Sequence, residues 1–304
     1  MAAIAQSIAP IFLIIVVGYA FKRSGFPGDG FWQPAERLAY YVLLPVLIVR
    51  NLAEANLAGV QVGAYVLVIV AVAAAMTGLT LALRPALRVD GAADSSILQG
   101  AIRLNSYIGF GVAEALWRGQ GVVLVALFIA IMMPIVNVIS IGAIAAYAHD
   151  GKPRWSRVPV EIVRNPIIIG CAIGGAMNAL HLGLPGPVDA LFAIFARTAL
   201  PVALLCVGAG LVLGTVRLRI GALGIACALK LAVMPALTLG AAHVAGLSGL
   251  SFVVAVVFSA MPSSPASYVL ARQLGGDAPL MAGILTVQTA LAALTVPAIV
   301  AWLT

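Results

Sequence analysis

Three positively charged side chains lie inside long apolar stretches of the sequence: Arg103, Arg197 and Lys230. A charge at the centre of a helix in a membrane costs a few kcal/mol, so it usually marks a binding site or an ion pair. Glu114 is the one carboxylate that the apolar pattern places within such a stretch. This excess of cations indicates an anionic ligand. Arg103 is the strongest candidate, because its planar guanidinium can hold a carboxylate through two parallel hydrogen bonds.

Each of these cations also has a structural interpretation. Arg103 can cap carbonyl groups exposed by a helix break, or extend its charged end to the membrane surface. Lys230 precedes Pro235 by five residues, so it can bind either the ligand or a carbonyl that the proline leaves without a donor. Arg197 is expected to serve helix packing or to extend to the surface.

A helix break is predicted in the stretch Ala260-Met261-Pro262-Ser263-Ser264-Pro265-Ala266-Ser267-Tyr268. Its two prolines, Pro262 and Pro265, remove two backbone donors and clash with the preceding turn, so a continuous helix is not expected there. The hydroxyl groups of Ser263, Ser264 and Ser267 can bind the freed backbone groups or a ligand. The alternative is a proline-kinked packing helix whose serines bond to their own backbone.

A second polar cluster runs from Arg103 to Gly111 and contains Asn105, Ser106, Tyr107 and Gly109. Any break in it is expected at glycine, since the cluster has no proline. Where a helix restarts after a break, its first N–H groups are unpaired and attract anions. Asn105, together with Asn137 further along the chain, suits either a ligand or helix packing, because an amide both donates and accepts hydrogen bonds.

The composition places these residues in a membrane. Of 304 residues, 63% are hydrophobic and only 9% are charged, and the mean hydropathy is +1.12. A soluble domain carries about 25% charged residues, so most of this chain must face lipid. Soluble enzymes, nucleic-acid-binding modules and disordered tails are excluded. The net charge of +7 is spread over connecting loops, as expected of a charge that sets membrane orientation.

Ten membrane-spanning helices are predicted, since about 20 apolar residues cross the hydrocarbon layer. They lie near 2–21, 35–53, 62–83, 95–117, 121–148, 160–180, 186–213, 219–244, 250–273 and 278–303. Nearly all Lys and Arg residues of the connections fall in the odd-numbered ones, whereas the even-numbered ones contain only Arg50 and Arg118. Because positive loops stay in the cytoplasm, the odd-numbered loops are predicted to be cytoplasmic and both termini to lie outside.

The two halves of the chain share landmarks at nearly one offset. The second span is entered through Pro27-Gly28 and contains Pro45, and the seventh is entered through Pro185-Gly186 and contains Pro201. The prolines Pro45 and Pro201 are 156 residues apart, and Ser106 in the fourth span precedes Ser263 in the ninth by 157. Residues 1–148 and 160–304 are therefore predicted to form two five-helix repeats, joined by a cytoplasmic linker at 149–159. An odd number of spans per repeat makes the repeats inverted, a plan typical of secondary transporters.

No sequence pattern indicates enzyme chemistry, a cofactor or a metal. The three histidines and three cysteines lack metal-ligand spacing, and there is no phosphate-binding loop or nucleophile motif. A carboxylate that would bind sodium or relay protons near the centre of the membrane is also missing from the sequence pattern.

Several segments together resemble the auxin efflux carrier family over essentially the whole chain. They are Arg103-Leu104-Asn105, Asn165-Pro166-Ile167-Ile168, Ala199-Leu200-Pro201-Val202 with Gly208, Lys230-Leu231 with Met234-Pro235, and Met261-Pro262-Ser263-Ser264-Pro265-Ala266-Ser267-Tyr268-Val269-Leu270-Ala271. The last is the most specific. Where relatives often carry a proline in the fourth span, this chain has Gly109 and Gly111.

The resemblance implies an elevator-type carrier of small organic anions. Helices 1, 2, 6 and 7 would form a scaffold, often dimeric, and helices 3–5 and 8–10 a transport domain in which broken helices 4 and 9 cross. Family members carry auxin in plants and malonate or malate in bacteria. By position, Asn105, Asn137 and the stretch Pro262 to Pro265 would contribute to the substrate site.

Three hypotheses follow from residues and resemblance together. The first is a carboxylate carrier in the cell membrane whose site comprises Arg103, Asn105, Ser106, Tyr107, Gly109, Asn137, Lys230, Pro262, Ser263, Ser264, Pro265 and Ser267. The second is a sodium-coupled organic-anion symporter of the bile-acid type. The third is a membrane sensor or scaffold that transports nothing, in which the breaks are architectural.

Overall fold

The computed structural model describes residues 2–57, 60–87, 89–147, 160, 163–212 and 220–304, and in these ranges the protein is helical, with no strand. Thirteen α-helices and two π-helical turns are described. They are α1 (Ala2–Ser24), α2 (Asp29–Leu38), the first π-turn (Ala39–Leu43), α3 (Leu44–Ala53), α4 (Val62–Leu87), α5 (Gly91–Ile102), α6 (Ser106–Tyr147), α7 (Pro166–Ala179), α8 (Gly186–Ala209), α9 (Ile220–Ala228), the second π-turn (Leu229–Val233), α10 (Met234–Val244), α11 (Gly249–Ser259), α12 (Pro265–Leu274) and α13 (Ala278–Leu303).

Six segments of the described chain are long and apolar enough to cross a membrane. They are Ala2–Ser24, Val62–Leu87, Gly91–Ser140, Gly186–Ala209, Ile220–Val244 and Ala278–Leu303, and α7 and α11 are shorter apolar helices. The prediction of an all-helical integral membrane protein is therefore confirmed. The linker predicted at 149–159 lies outside the described residues.

The longest helix, α6, contains one residue with a non-helical backbone. Arg118 has φ 51° and ψ −147°, a left-handed φ that is uncommon for any residue but glycine. It lies between the spans predicted at 95–117 and 121–148, where the sequence offers a short polar connection. A change of direction within α6 at this point is consistent with two successive apolar segments.

A proline follows each π-turn, with one residue between the end of the turn and the proline. Pro45 and Pro235 are each the second residue of the helix that follows such a turn. Proline has no N–H, and its ring clashes with the carbonyl four residues earlier. A wider turn at that place relieves the clash without ending the helix, so both segments stay helical through the proline. The helix α8 also continues through its proline, Pro201.

The described chain divides into two compact units. The first comprises residues 1–60, 107–130 and 159–210, and the second comprises residues 61–106, 131–158 and 211–304. In the first unit, α1 and α3 both pack against α8, and α3 also packs against α7. In the second, α5 packs against α4, α9, α12 and α13. The second unit thus contains residues 103–106 of one polar cluster and the whole of the other, 260–268.

Close helix packing in the first unit depends on glycine. A Cβ atom on Gly18 of α1 would overlap the backbone of Leu205 on α8, and one on Gly208 of α8 would overlap the backbone of Ile15. The two backbones can approach this closely only because neither glycine carries a side chain. Small residues at such contacts are typical of helix pairs in membranes.

We expect Gly208→Ala to separate α1 from α8 and to lower the free energy of unfolding by about 1–3 kcal/mol, the usual cost of overpacking. The added methyl group meets a backbone carbonyl, which cannot move aside as a flexible side chain would. Thermal melting of the purified protein measures the effect. Gly186→Ala in the same helix is the matched control, because a Cβ there has no atom within 4 Å. Equal melting temperatures for the two variants would contradict the packing assignment.

Candidate functional site

Two helix breaks define the candidate site. The helix α5 ends at Ile102 and α6 begins at Ser106, while α11 ends at Ser259 and α12 begins at Pro265. The break predicted around Pro262 is confirmed. The expectation that glycine breaks the segment from Arg103 to Gly111 is wrong. The break comprises residues 103–105, directly before Ser106, and Gly109 lies inside α6.

The position of the first break follows from a contact between the two breaks. The backbone N–H of Asn105 donates to the carbonyl of Pro262 at 2.7 Å instead of to a carbonyl of its own helix. A second bond joins the same regions, since Ser263 Oγ donates to the carbonyl of Gly100 at 2.7 Å. The second unit therefore brings the two predicted polar clusters into direct contact. Each break provides a hydrogen-bonding partner for the other.

Gln288, in the middle of α13, forms hydrogen bonds with both of the regions that this contact joins. Its Oε1 accepts the backbone N–H of Ser263 at 2.9 Å, and its Nε2 donates to the carbonyls of Gly100 and Ala226, both at 3.0 Å. The side chain is fully buried. This residue was not predicted from the sequence. A long amide side chain in an otherwise apolar 26-residue helix was the available signal, because polar side chains at such depth are costly and are kept for a reason.

We expect Gln288→Leu to lower the free energy of unfolding by roughly 2–4 kcal/mol, because it leaves buried backbone groups without a partner at about 1–3 kcal/mol each. Melting temperatures of purified variants provide the measurement. Thr295→Val in the same helix is the control, since Thr295 Oγ1 is buried without a partner and its loss breaks no hydrogen bond. If Gln288→Leu melted like the control, Gln288 would not be holding the breaks together.

The guanidinium of Arg103 lies beside the first break and is bonded to α6. Its Nη2 donates to Asn137 Oδ1 at 2.6 Å, and its Nε donates to Ser140 Oγ at 3.2 Å. Only 8% of the residue is exposed. The structure thus joins two residues, Arg103 and Asn137, that the sequence suggested separately. Both partners accept hydrogen bonds from the guanidinium, so they fix the plane of the fork.

Lys230 occupies a different environment. It lies in the second π-turn, is fully buried, and its Nζ contacts the thioether Sδ of Met234 at 3.0 Å. Among the described residues it forms no ion pair and no hydrogen bond to another candidate residue. The π-turn packs against α5 and α13, so Lys230 belongs to the helix bundle that supports the breaks.

The remaining candidates lie at the start of the two helices that follow the breaks. Ser264 caps α12 by accepting the N–H of Ala266 at 3.3 Å, and Pro265 is the first residue of that helix. Ser267, one turn later, is fully buried, and its Oγ has no partner. Ser106 begins α6. Tyr107 and Gly109 follow in its first turns and group with the first unit.

Comparison with known proteins gives a consistent result. Residues 152–300 match the family model described as membrane transport protein, which is that of the auxin efflux carriers. An uncharacterized transporter from Methanothermobacter thermautotrophicus is 24% identical over 296 residues, and the alignment covers 96% of each chain. Over residues 152–300 the chain is therefore similar to membrane transporters of this family. These matches support the predicted family, and they indicate a transporter rather than an enzyme.

The transporter contains a buried carboxylate that the sequence analysis placed outside the apolar segments. Asp94 lies on the first turn of α5 and is 2% exposed, and its Oδ2 is 3.1 Å from Nε of Arg84 on α4. Within the described ranges, no group of three or more His, Cys, Asp or Glu side chains is arranged to hold a metal ion.

In the first unit, the transporter has a separate polar cavity of about 370 Å³ between the end of α3 and the part of α6 after Arg118. Its lining includes Arg50, Glu54 and Gln120. Arg50, one of the two exceptions to the charge pattern of the loops, is held by Asp189 through bonds of 2.7 and 3.4 Å. The position of this cation is thus explained by an ion pair within the unit.

Proposed function

We propose that this transporter is a secondary carrier of small organic anions, with a mono- or dicarboxylate as substrate. The observation that carries the proposal is the buried guanidinium of Arg103, which stands beside the contact between the two helix breaks. A cation held away from water is costly in a membrane, and an anion beside it lowers that cost. A carboxylate is well suited, because it accepts charge-assisted hydrogen bonds from a guanidinium.

The start of α12 adds to the attraction for an anion. The first N–H groups of a helix have no intrahelical acceptor, and the helix dipole puts partial positive charge there. This end follows the Pro262 break directly. It begins two residues after Ser263, whose Oγ donates to the carbonyl of Gly100 in α5. The proposed binding residues are those derived from the sequence: Arg103, Asn105, Ser106, Tyr107, Gly109, Asn137, Lys230, Pro262, Ser263, Ser264, Pro265 and Ser267.

The proposed architecture has ten spans in two inverted repeats of five, with both termini outside and the odd-numbered loops cytoplasmic. Support comes from the helices, which lie along each of the ten apolar segments. Further support comes from the two breaks, since equivalent interruptions in the two halves are typical of carriers built from inverted repeats.

The proposed mechanism is an elevator, in which a transport domain carries the substrate past a scaffold that is dimeric. The two compact units support this division. The first contains α1, α3, α7 and α8, and the second contains α4, α5 and α9 to α13. Residues 107–130 group with the first unit, although the scheme assigns the fourth and fifth spans to the transport domain.

Charge movement in proteoliposomes tests the proposal. Purified protein is exposed rapidly to lactate, malonate, succinate, malate and indole-3-acetate, with and without sodium and at two pH values. We expect a saturable response to one or more acids that does not require sodium, with counter-flow into preloaded vesicles as the second readout. A response that requires sodium would favour the symporter, and silence in both assays from folded protein would overturn the carrier proposal.

A further inference from the structure

Few buried polar atoms in the described part of the second unit lack a hydrogen-bond partner, and most of them lie close to the two breaks. Both polar atoms of the Gln99 side chain, Oε1 and Nε2, are in this state, as is Ser267 Oγ. Both residues are fully buried. Buried polar groups are nearly always hydrogen-bonded, so each exception requires an explanation.

Gln99 lies in the last turn of α5, next to the first break. Its carbonyl accepts the N–H of Arg103 at 3.0 Å, and the carbonyl of the next residue, Gly100, accepts from Ser263 and Gln288. Residues three and four apart share one face of a helix, so Gln99 shares its face of α5 with Ser96, whose Oγ donates to the carbonyl of Asp277 at 3.2 Å. That face is therefore turned toward the segment that follows α12.

Ser267 lies on the opposing helix. It follows Ser263 by four residues, and α12 packs against α5. Two bonds bracket the interface between the helices: Ser263 Oγ to the carbonyl of Gly100 at 2.7 Å, and Ser96 Oγ to the carbonyl of Asp277 at 3.2 Å. The helices thus run antiparallel along one another, and Gln99 and Ser267 lie between the two bonds.

A buried amide side chain without hydrogen-bond partners lowers the stability of the folded protein. A leucine of similar size would bury apolar atoms where the glutamine buries a donor and an acceptor without partners. Gln288, one helix away, shows how the same side chain is used for structure, since both of its polar atoms are satisfied. A ligand that bonds to the amide of Gln99 would explain why these polar atoms lack a partner within the protein.

We propose that Gln99 is a substrate-binding residue that acts with Ser267, and that it selects acids carrying a hydroxyl group. This inference rests on the proposed carrier function. The amide presents a donor and an acceptor together, and a hydroxyl group satisfies both, whereas a carboxylate satisfies only the donor. The carboxylate of the same substrate is bound by Arg103, the residue that directly follows the end of α5.

The test combines stability with selectivity in Gln99→Leu, using the purified full chain. We expect the melting temperature without ligand to rise by about 2 °C or more, since an unsatisfied amide is removed. We expect affinity for lactate and malate to fall about tenfold, while affinity for propionate and succinate, their counterparts without the hydroxyl, changes less than about twofold. Isothermal titration measures all four.

Two results would overturn the inference while leaving the carrier function intact: a lower melting temperature for Gln99→Leu, or an unchanged ratio between hydroxylated and plain acids. If the wild-type protein bound none of the four acids and moved no charge, both the inference and the carrier function would fail. If Gln99→Leu does not fold, Ser267→Ala, a smaller change, tests the same inference. It is expected to weaken binding of the hydroxylated acids without lowering stability.

Discussion

Arg103→Ala is expected to weaken binding of the transported anion by at least about 10- to 100-fold while the protein stays folded. A hydrogen bond to a charged group contributes about 1.5–3 kcal/mol, which corresponds to that range of affinity. The guanidinium is buried, so water does not screen its charge as it would on a surface. Its plane is held by Asn137 and Ser140, so the arginine is oriented before the anion arrives.

Isothermal titration with the acid that gives the largest response measures this effect, and thermal melting checks the fold. Arg197→Ala is the matched control, because Arg197 is exposed on α8 and is expected to leave affinity unchanged. Arg103→Lys keeps the charge but loses the planar fork, so an intermediate affinity is expected. Unchanged affinity in a folded Arg103→Ala protein would remove the central residue of the proposed site.

The double variant Pro262→Ala with Pro265→Ala is expected to abolish transport. Each alanine restores an N–H and removes a ring that clashes with the preceding turn, so α11 and α12 can join into one helix. A continuous helix would withdraw the carbonyl of Pro262 from the N–H of Asn105, a bond of 2.7 Å. It would also remove the start of α12 at Pro265, where the helix dipole places partial positive charge.

Counter-flow in proteoliposomes measures the loss, and hydrogen exchange reports on the amide of Asn105, which should exchange faster once its acceptor is gone. Pro297→Ala provides the control, because Pro297 lies inside the continuous helix α13 and takes no part in a break. Normal counter-flow by the double variant would mean that the break is not needed for transport.

Much of the fold could be predicted from local properties of the chain. High hydropathy requires lipid-facing helices, because in a membrane each backbone donor and acceptor must be satisfied within the segment. The Pro262 break was equally accessible, since two prolines three residues apart, Pro262 and Pro265, remove two backbone donors and clash with the preceding turn. The sequence also identified Arg103, Asn137, Ser263 and Ser267 as polar residues in apolar surroundings.

The tertiary structure decided what those polar residues contact. The first break contains neither glycine nor proline, and its position depends on an acceptor 157 residues further along the chain, the carbonyl of Pro262. Gln288 and Gln99 have the same side chain in similarly apolar helices, yet one is fully hydrogen-bonded and the other has no partner. The closeness of α1 and α8 likewise depends on which residues face Gly208. Apolar patterning and proline act within one segment and can be read from it, whereas hydrogen bonds and packing between distant segments exist only once the chain has folded.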